Sequence, residues 1–110
     1  MSVKFSTKEL KELASNVELN GEYTVEVVSV SLTKAGNVMM SIKSELGFTN
    51  IVFNITNPLM AQSAARQMIN LVEGFKLRAF DGDKMKGLSF TAEFKSNKGY
   101  TNLHKFVAFN

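Results

Sequence analysis

Two hydrophobic periods divide the chain. From Glu22 to Leu32, Tyr23, Val25 and Val27 alternate with Thr24 and Glu26, and the apolar phase then shifts to Val28, Val30 and Leu32. Period-two alternation marks a half-buried strand, and a one-residue phase change inside a long strand predicts a β-bulge. Thr33-Lys34-Ala35-Gly36-Asn37 is a hairpin loop, after which Val38, Met40 and Ile42 line one face of a second strand and Met39, Ser41 and Lys43 the other. Leu46-Gly47-Phe48 predicts a turn, and Ile51, Phe53 and Ile55 give a third strand its apolar face. Later, Leu88, Phe90, Ala92 and Phe94 alternate with Ser89, Thr91, Glu93 and Lys95. Ser96-Asn97-Lys98-Gly99 turns this fourth strand, and Tyr100 to Phe109 returns as the fifth.

Between the third and fourth strands the period lengthens. Met60, Ala61, Ala64, Ala65, Met68, Ile69 and Val72 recur at helical spacing. Asn57-Pro58 supplies an N-cap and a first-turn proline, and Gly74 is expected to stop the helix in a left-handed C′ position. Residues 75–87 form a mixed connector. Within it, Asp81-Gly82-Asp83 predicts a turn that caps a short helical piece at Lys84–Lys86; as a cation site it lacks the further oxygen ligands required. At the start of the chain, Ser6 and Glu9 have capping-box spacing with Phe5 and Leu10 placed as a hydrophobic staple, predicting a short N-terminal helix over residues 1–16. The expected fold is one mainly-β domain over residues 1–110 with one principal helix. Its order, three strands, a helix and two strands, is that of a five-stranded OB-fold barrel, which binds oligonucleotides and oligosaccharides.

Composition narrows the chemistry. Cysteine is absent from the 110 residues, which excludes disulfides and thiol chemistry. His104 is the only histidine, so no histidine pair can hold a metal, and Gly-rich phosphate loops are missing. The expectation is a non-enzyme with no cofactor. No apolar run is long enough for a membrane span, and the start of the chain lacks a signal-peptide pattern, so a cytoplasmic location is expected. Asn54-Ile55-Thr56 matches a glycosylation sequon by chance inside the third strand.

Charge is uneven. Residues 1–73 carry six Lys/Arg and seven Glu, a balance of −1, whereas residues 74–110 carry seven Lys/Arg and three Asp/Glu, a balance of +4. A basic segment on a near-neutral body suits a polyanion partner, although a solvated lysine-rich surface has the same composition. Single-strand binders join lysines to aromatics on which bases stack. The candidates are Lys34 in the first hairpin, Lys43 on the polar face of the second strand, Phe48 at the next turn, and Lys95, Lys98, Tyr100 and Lys105 in the last hairpin. Tyr100, beside Gly99, either lids the barrel end or stacks a base. Phe48 either folds under its turn or stands exposed. Arg78 and Phe80 either approach nucleic acid or tie helix to barrel.

Several short motifs resemble the small OB-fold single-stranded-DNA-binding proteins of bacteriophages and prophages. They are Asn20-Gly21-Glu22-Tyr23-Thr24-Val25, Thr33-Lys34-Ala35-Gly36-Asn37-Val38-Met39-Met40, the helix after Asn57-Pro58, Lys86-Gly87-Leu88-Ser89-Phe90, and Lys98-Gly99-Tyr100-Thr101-Asn102-Leu103-His104-Lys105-Phe106. The resemblance implies sequence-tolerant binding of single-stranded DNA in phage replication or recombination, beside a recombinase or replication protein, with Lys34, Gly36 and the Lys98–Lys105 strand at matching positions. It also suggests a homo-oligomer or cooperative coating. The chain departs from bacterial single-strand binders at its end, Lys105-Phe106-Val107-Ala108-Phe109-Asn110, where many carry an acidic tail. Partners are then expected to bind the folded body. The competing expectation is a protein-interaction or assembly module that uses the same barrel, its apolar edge and Met39.

Overall fold

A computed structural model describes Lys4, Ser6, Thr7, Leu10 and residues 17–110. The elements are β1 (Gly21–Leu32), β2 (Val38–Ser44), β3 (Gly47–Phe53), α1 (Pro58–Gly74), α2 (Gly82–Met85), β4 (Ser89–Asn97) and β5 (Tyr100–Phe109). The N-terminal helix expected over residues 1–16 lies outside the described residues, those four positions apart.

The fold is mainly β, one antiparallel sheet in the order β3-β2-β1-β4-β5. The long β1 is central and shared: Gly21–Glu26 pair with β4, and Glu26–Leu32 pair with β2. Its change of partner coincides with the bulge that the phase shift predicts, since Val27 faces Ile42 and Ser29 faces Ser41, leaving Val28 unpaired in that ladder. Bulges bend and twist a strand, and the two edges of this sheet are brought to within 8 Å between Cα atoms. They do not join. A paired ladder needs ~5 Å, so the sheet is open rather than the closed barrel expected.

Other elements fill the seam between β3 and β5. At one end the incoming chain crosses it. The Val17 N–H donates to the Phe48 carbonyl (2.9 Å) and the Thr49 hydroxyl donates to the Val17 carbonyl (2.7 Å), while the Leu19 N–H donates to Thr101 Oγ1 (3.0 Å). Leu19 is fully buried there. Further along, α1 covers the gap, and Gln67 Nε2 donates to the Leu103 carbonyl of β5 at 2.8 Å. Buried backbone groups at strand edges require partners, and here side chains and a loop supply what a β3–β5 ladder would.

The inner face of the sheet forms the core with Val25, Val27, Met40, Ile42, Ile51, Phe53, Phe90 and Phe94, all at most 2% exposed. Burying each such side chain stabilises by about 1.5–3 kcal/mol, so a core forms without disulfides or metal. Phe80 meets Phe53 edge-on at 6.1 Å, which fixes its role as a tie between connector and core, while Arg78 is exposed. Asp81 caps α2, its carboxylate accepting from the Asp83 and Lys84 N–H groups, so the turn-and-cap reading holds, but the helix spans Gly82–Met85 rather than Lys84–Lys86.

Four local expectations are corrected. Gly47 and Phe48 belong to β3, because the turn closes earlier, over Glu45 and Leu46. Ile55 lies beyond β3 and is exposed; its N–H donates to Asn37 Oδ1, which ties this loop to the first hairpin. The helix is capped by Asn57 as expected, but its buried track is Ala64, Met68 and Leu71, with Met60 and Ile69 outward. The apolar band is wider than the contact, and packing selected a track rotated from the expected one. Finally, Gly74 is not the left-handed residue. Lys76 is, at φ 57°, with its N–H on the Glu73 carbonyl and the Leu77 N–H on Val72. This is a Schellman ending. Gly74 is small for a different reason: a Cβ there would collide with the Phe109 ring.

Candidate nucleic-acid interface

Residues opposite one another in an antiparallel ladder share a face. The rungs Asn97–Tyr100, Lys95–Asn102 and Glu93–Lys105 therefore put Lys95, Tyr100 and Lys105 together on the outer face of the β4–β5 hairpin. On the other half of the sheet, Lys43 faces Phe48 across β2–β3, and its Nζ stands 5.7 Å from the Phe48 ring centroid. This cation–π contact contributes roughly 0.5–1 kcal/mol at an exposed site. Phe48 is exposed at 37%, so of the two expectations for it, the exposed one holds.

The β4–β5 turn has an unusual first residue. Lys98 and Gly99 occupy its two central positions with φ of 51° and 84°. Positive φ at both is the type I′ pattern, which selects Asn-Gly or Gly-Gly. A lysine there costs backbone energy that asparagine would not. It holds an ammonium at the tip of the hairpin, beside Tyr100, which is 73% exposed.

The seam segment draws these two halves together. Val17 is bonded to Phe48 and Leu19 to Thr101, and two residues span at most about 7 Å. Phe48 with Lys43 thus lies on one side of the segment, and Tyr100 with Lys95 and Lys98 on the other. Between them is Glu18, exposed, with its carboxylate close to Gly99. A phosphate approaching Lys98 meets that carboxylate as well. Neither Glu18 nor the bridging role of Val17–Leu19 is announced by a motif; both arise from contacts distant in sequence.

Two candidates lie farther from the tip. Lys34 is exposed in the β1–β2 loop, whose turn is closed by the Thr33 N–H on the Asn37 carbonyl at 2.8 Å. That loop leaves the Leu32 end of β1, whereas β4 leads into its turn at the Gly21 end. Lys34 and Lys98 are separated by the length of β1. Lys105 sits two outer rungs from the turn, opposite Glu93.

Nor is the outer face a uniformly basic groove. Glu22 faces Glu93, and Glu26 faces Lys43, so carboxylates run through its centre. Cross-strand pairs of opposite charge are mildly stabilising, and Glu26 and Glu93 stand opposite Lys43 and Lys105. On this face the lysines with no carboxylate opposite them are Lys95 and Lys98, at the hairpin tip. His104 is exposed on β5. Among the described residues no cluster of His, Asp and Glu could hold a metal ion, and no helix is long and apolar enough to cross a membrane. The chain matches no protein-family model and no curated protein.

Proposed function

We propose that this chain is an OB-fold protein that binds single-stranded DNA with little sequence preference, as the phage and prophage binders it resembles do. The observation that carries the reading is the β4–β5 tip: an exposed Tyr100 ring beside Lys98, which is held in a backbone conformation lysine disfavours. Strain kept at an exposed position points to function, and an aromatic with adjacent ammonium groups is the recipe for holding an unpaired base and its phosphate. The central, bent β1 and the near approach of β3 to β5 support the OB-fold assignment. Tyr100 and Phe48 stack bases, while Lys98, Lys95 and Lys43 neutralise phosphates. Lys105 and Lys34 contact a strand long enough to leave the tip. Recognition is non-catalytic, and takes place in the cytoplasm beside a recombinase or replication protein, with self-association or cooperative coating adding affinity to one small domain.

The test is fluorescence anisotropy with labelled single- and double-stranded oligonucleotides across a salt series. The expected result is a strong preference for single strands and a log–log salt slope of roughly −2 to −3.5, about −0.7 for each of three to five phosphate contacts. Absence of binding to any strand at low salt overturns the proposal. Lys98→Asn separates function from folding. Asparagine suits the turn, so the variant is expected to be more stable by up to about 1 kcal/mol. Its salt slope is expected to be shallower by roughly 0.7. Urea unfolding and the same anisotropy series read both.

A second reading rests on a different surface. Val52 is 49% exposed, Leu59 93% and Met60 50%, grouped where β3 runs into α1. An exposed apolar group of this kind suits a protein partner, and an assembly module would use it together with Met39, which pairs with Val52 on the outer face. Under that reading, Lys98→Asn leaves partner binding unchanged.

A further inference from the structure

A groove of about 600 Å³ runs between the second half of α1 and β5, away from the hairpin tip. Its floor includes Phe106 and Phe109, half-buried rings stacked at 5.3 Å and backed by Phe90. Its rim is polar: Gln67, Asn70 and Glu73 from the helix, His104 and Lys105 from the strand. The volume is within the range of small-molecule sites, and the combination is chemically particular.

The helix side offers both acceptors and donors, and its one charged group is a carboxylate. Gln67 gives one of its two amide hydrogens to the Leu103 carbonyl, which leaves its Oε1 and a second N–H. Glu73 is exposed and offers a carboxylate; Asn70, one turn before it on the helix, offers both an acceptor and donors. A carboxylate beside a polyanion is unfavourable unless the ligand gives it a proton to share. Amino-bearing bases do so. Cytosine presents an N4 amino group to a carboxylate, whereas thymine presents the O4 acceptor in its place, and thymine's own donor, N3–H, lies between two carbonyl oxygens that a carboxylate repels. Lys105 lines the same groove and serves the adjoining phosphate.

The obvious rival occupant, an extended peptide added to the edge of β5, fits less well. The Leu103 carbonyl on that edge is already taken by Gln67. The strand is also bulged twice, with His104 and Val107 skipped in its pairing with β4. Bulges and occupied acceptors are how edges are protected from strand addition.

We propose that this groove takes one unstacked base of the bound strand, stacking it against Phe106 and Phe109 and selecting an exocyclic amino group through Glu73 and Asn70, so that thymine is disfavoured. The inference rests on the single-strand reading above and adds a base preference at a place remote from the tip.

The experiment compares oligo-dC, oligo-dT and oligo-dU of ~16 nucleotides, the upper site size for one OB-fold, by anisotropy at neutral pH and constant salt. Wild type is expected to bind dC about tenfold more tightly than dT or dU, the effect of one hydrogen bond to a charged acceptor. Glu73→Gln and Asn70→Ala, both at exposed positions, are expected to reduce that ratio to within about twofold while dT binding and melting temperature hold. Equal affinity of wild type for dC and dT, with binding intact, overturns the inference and leaves the single-strand reading standing. A dC preference that survives both substitutions also overturns it, placing base selection elsewhere and returning the groove to a peptide. Loss of binding to every oligonucleotide in wild type overturns both readings together.

Discussion

Tyr100→Ala is expected to weaken single-stranded-DNA binding by about 5- to 150-fold, the equivalent of roughly 1–3 kcal/mol for one base stack. The ring is 73% exposed, so little folding energy depends on it, and stability is expected to stay within about 0.5 kcal/mol of wild type. Its neighbour Thr101 points the other way, to the buried bond with Leu19, and is untouched by the change. No charge is removed either, so the salt slope keeps its wild-type value while the whole binding curve moves. Tyr100→Phe keeps the π-face and is expected to retain most of the affinity. Anisotropy at two salt concentrations checks both variants. If Tyr100→Ala binds as wild type does, the ring merely lids its end of the sheet, and the stacking role falls to Phe48 alone.

Phe48 would be a weaker platform than Tyr100. One of its faces is already covered by Lys43, and a base that stacks there must displace the ammonium or use the other side. The same economy governs charge. A balance of +4 in residues 74–110 suggests a basic surface, yet Glu22, Glu26 and Glu93 thread the outer face of the sheet, and Lys76, Arg78, Lys84 and Lys86 are exposed in the connector rather than on the strands. Within the sheet and its last turn, the lysines that face no carboxylate across a ladder are Lys95 and Lys98, at the tip. In a single-strand binder, discrimination against double strands would then fall to stacking, because a duplex hides its base faces while its phosphates are equally available.

The sequence announces what local chemistry decides. Period two located β4, the phase slip at Val28 located the bulge, and Asn57-Pro58 located the start of α1. The same alternation places Lys95 and Tyr100 on the outer face, whereas Lys105, five residues beyond Tyr100, joins them only because the bulge at His104 resets the phase of β5. Long-range packing was not legible. The helix track through Leu71 and the filling of the seam by Val17–Leu19 depend on elements that meet only in three dimensions. So does the groove that sets Asn70 and Glu73 against β5. Charge composition misled most, because summing residues along the chain ignores which carboxylate each lysine faces.

Gly74→Ala tests the least legible of these contacts. In a helix, replacing glycine by alanine ordinarily stabilises by roughly 0.5–1 kcal/mol, because alanine loses less backbone entropy. Gly74 has helical rather than left-handed geometry, so nothing in its backbone opposes the change. The obstacle is the Phe109 ring, lying where the new methyl would stand. That ring cannot simply swing aside: it packs edge-on against Phe75 at 5.2 Å, stacks on Phe106 at 5.3 Å and meets Phe90 at 6.1 Å. Overpacking a site of this kind costs about 1–3 kcal/mol. The variant is therefore expected to be destabilised by roughly 1–2 kcal/mol, opposite in sign to the helix-propensity effect. Chemical denaturation of Gly74→Ala, and of Gly74→Ala combined with Phe109→Ala, measures it. If the clash is the cause, the second variant spends the methyl in the space the ring has left, and Gly74→Ala becomes neutral or stabilising in the Phe109→Ala background. Destabilisation of equal size in both backgrounds would show instead that the glycine is required by the helix itself. Because Phe109 also floors the groove beside β5, Gly74→Ala alone is expected to erode any preference for dC as well as stability, whereas Tyr100→Ala leaves that preference intact and lowers the affinity for every strand alike.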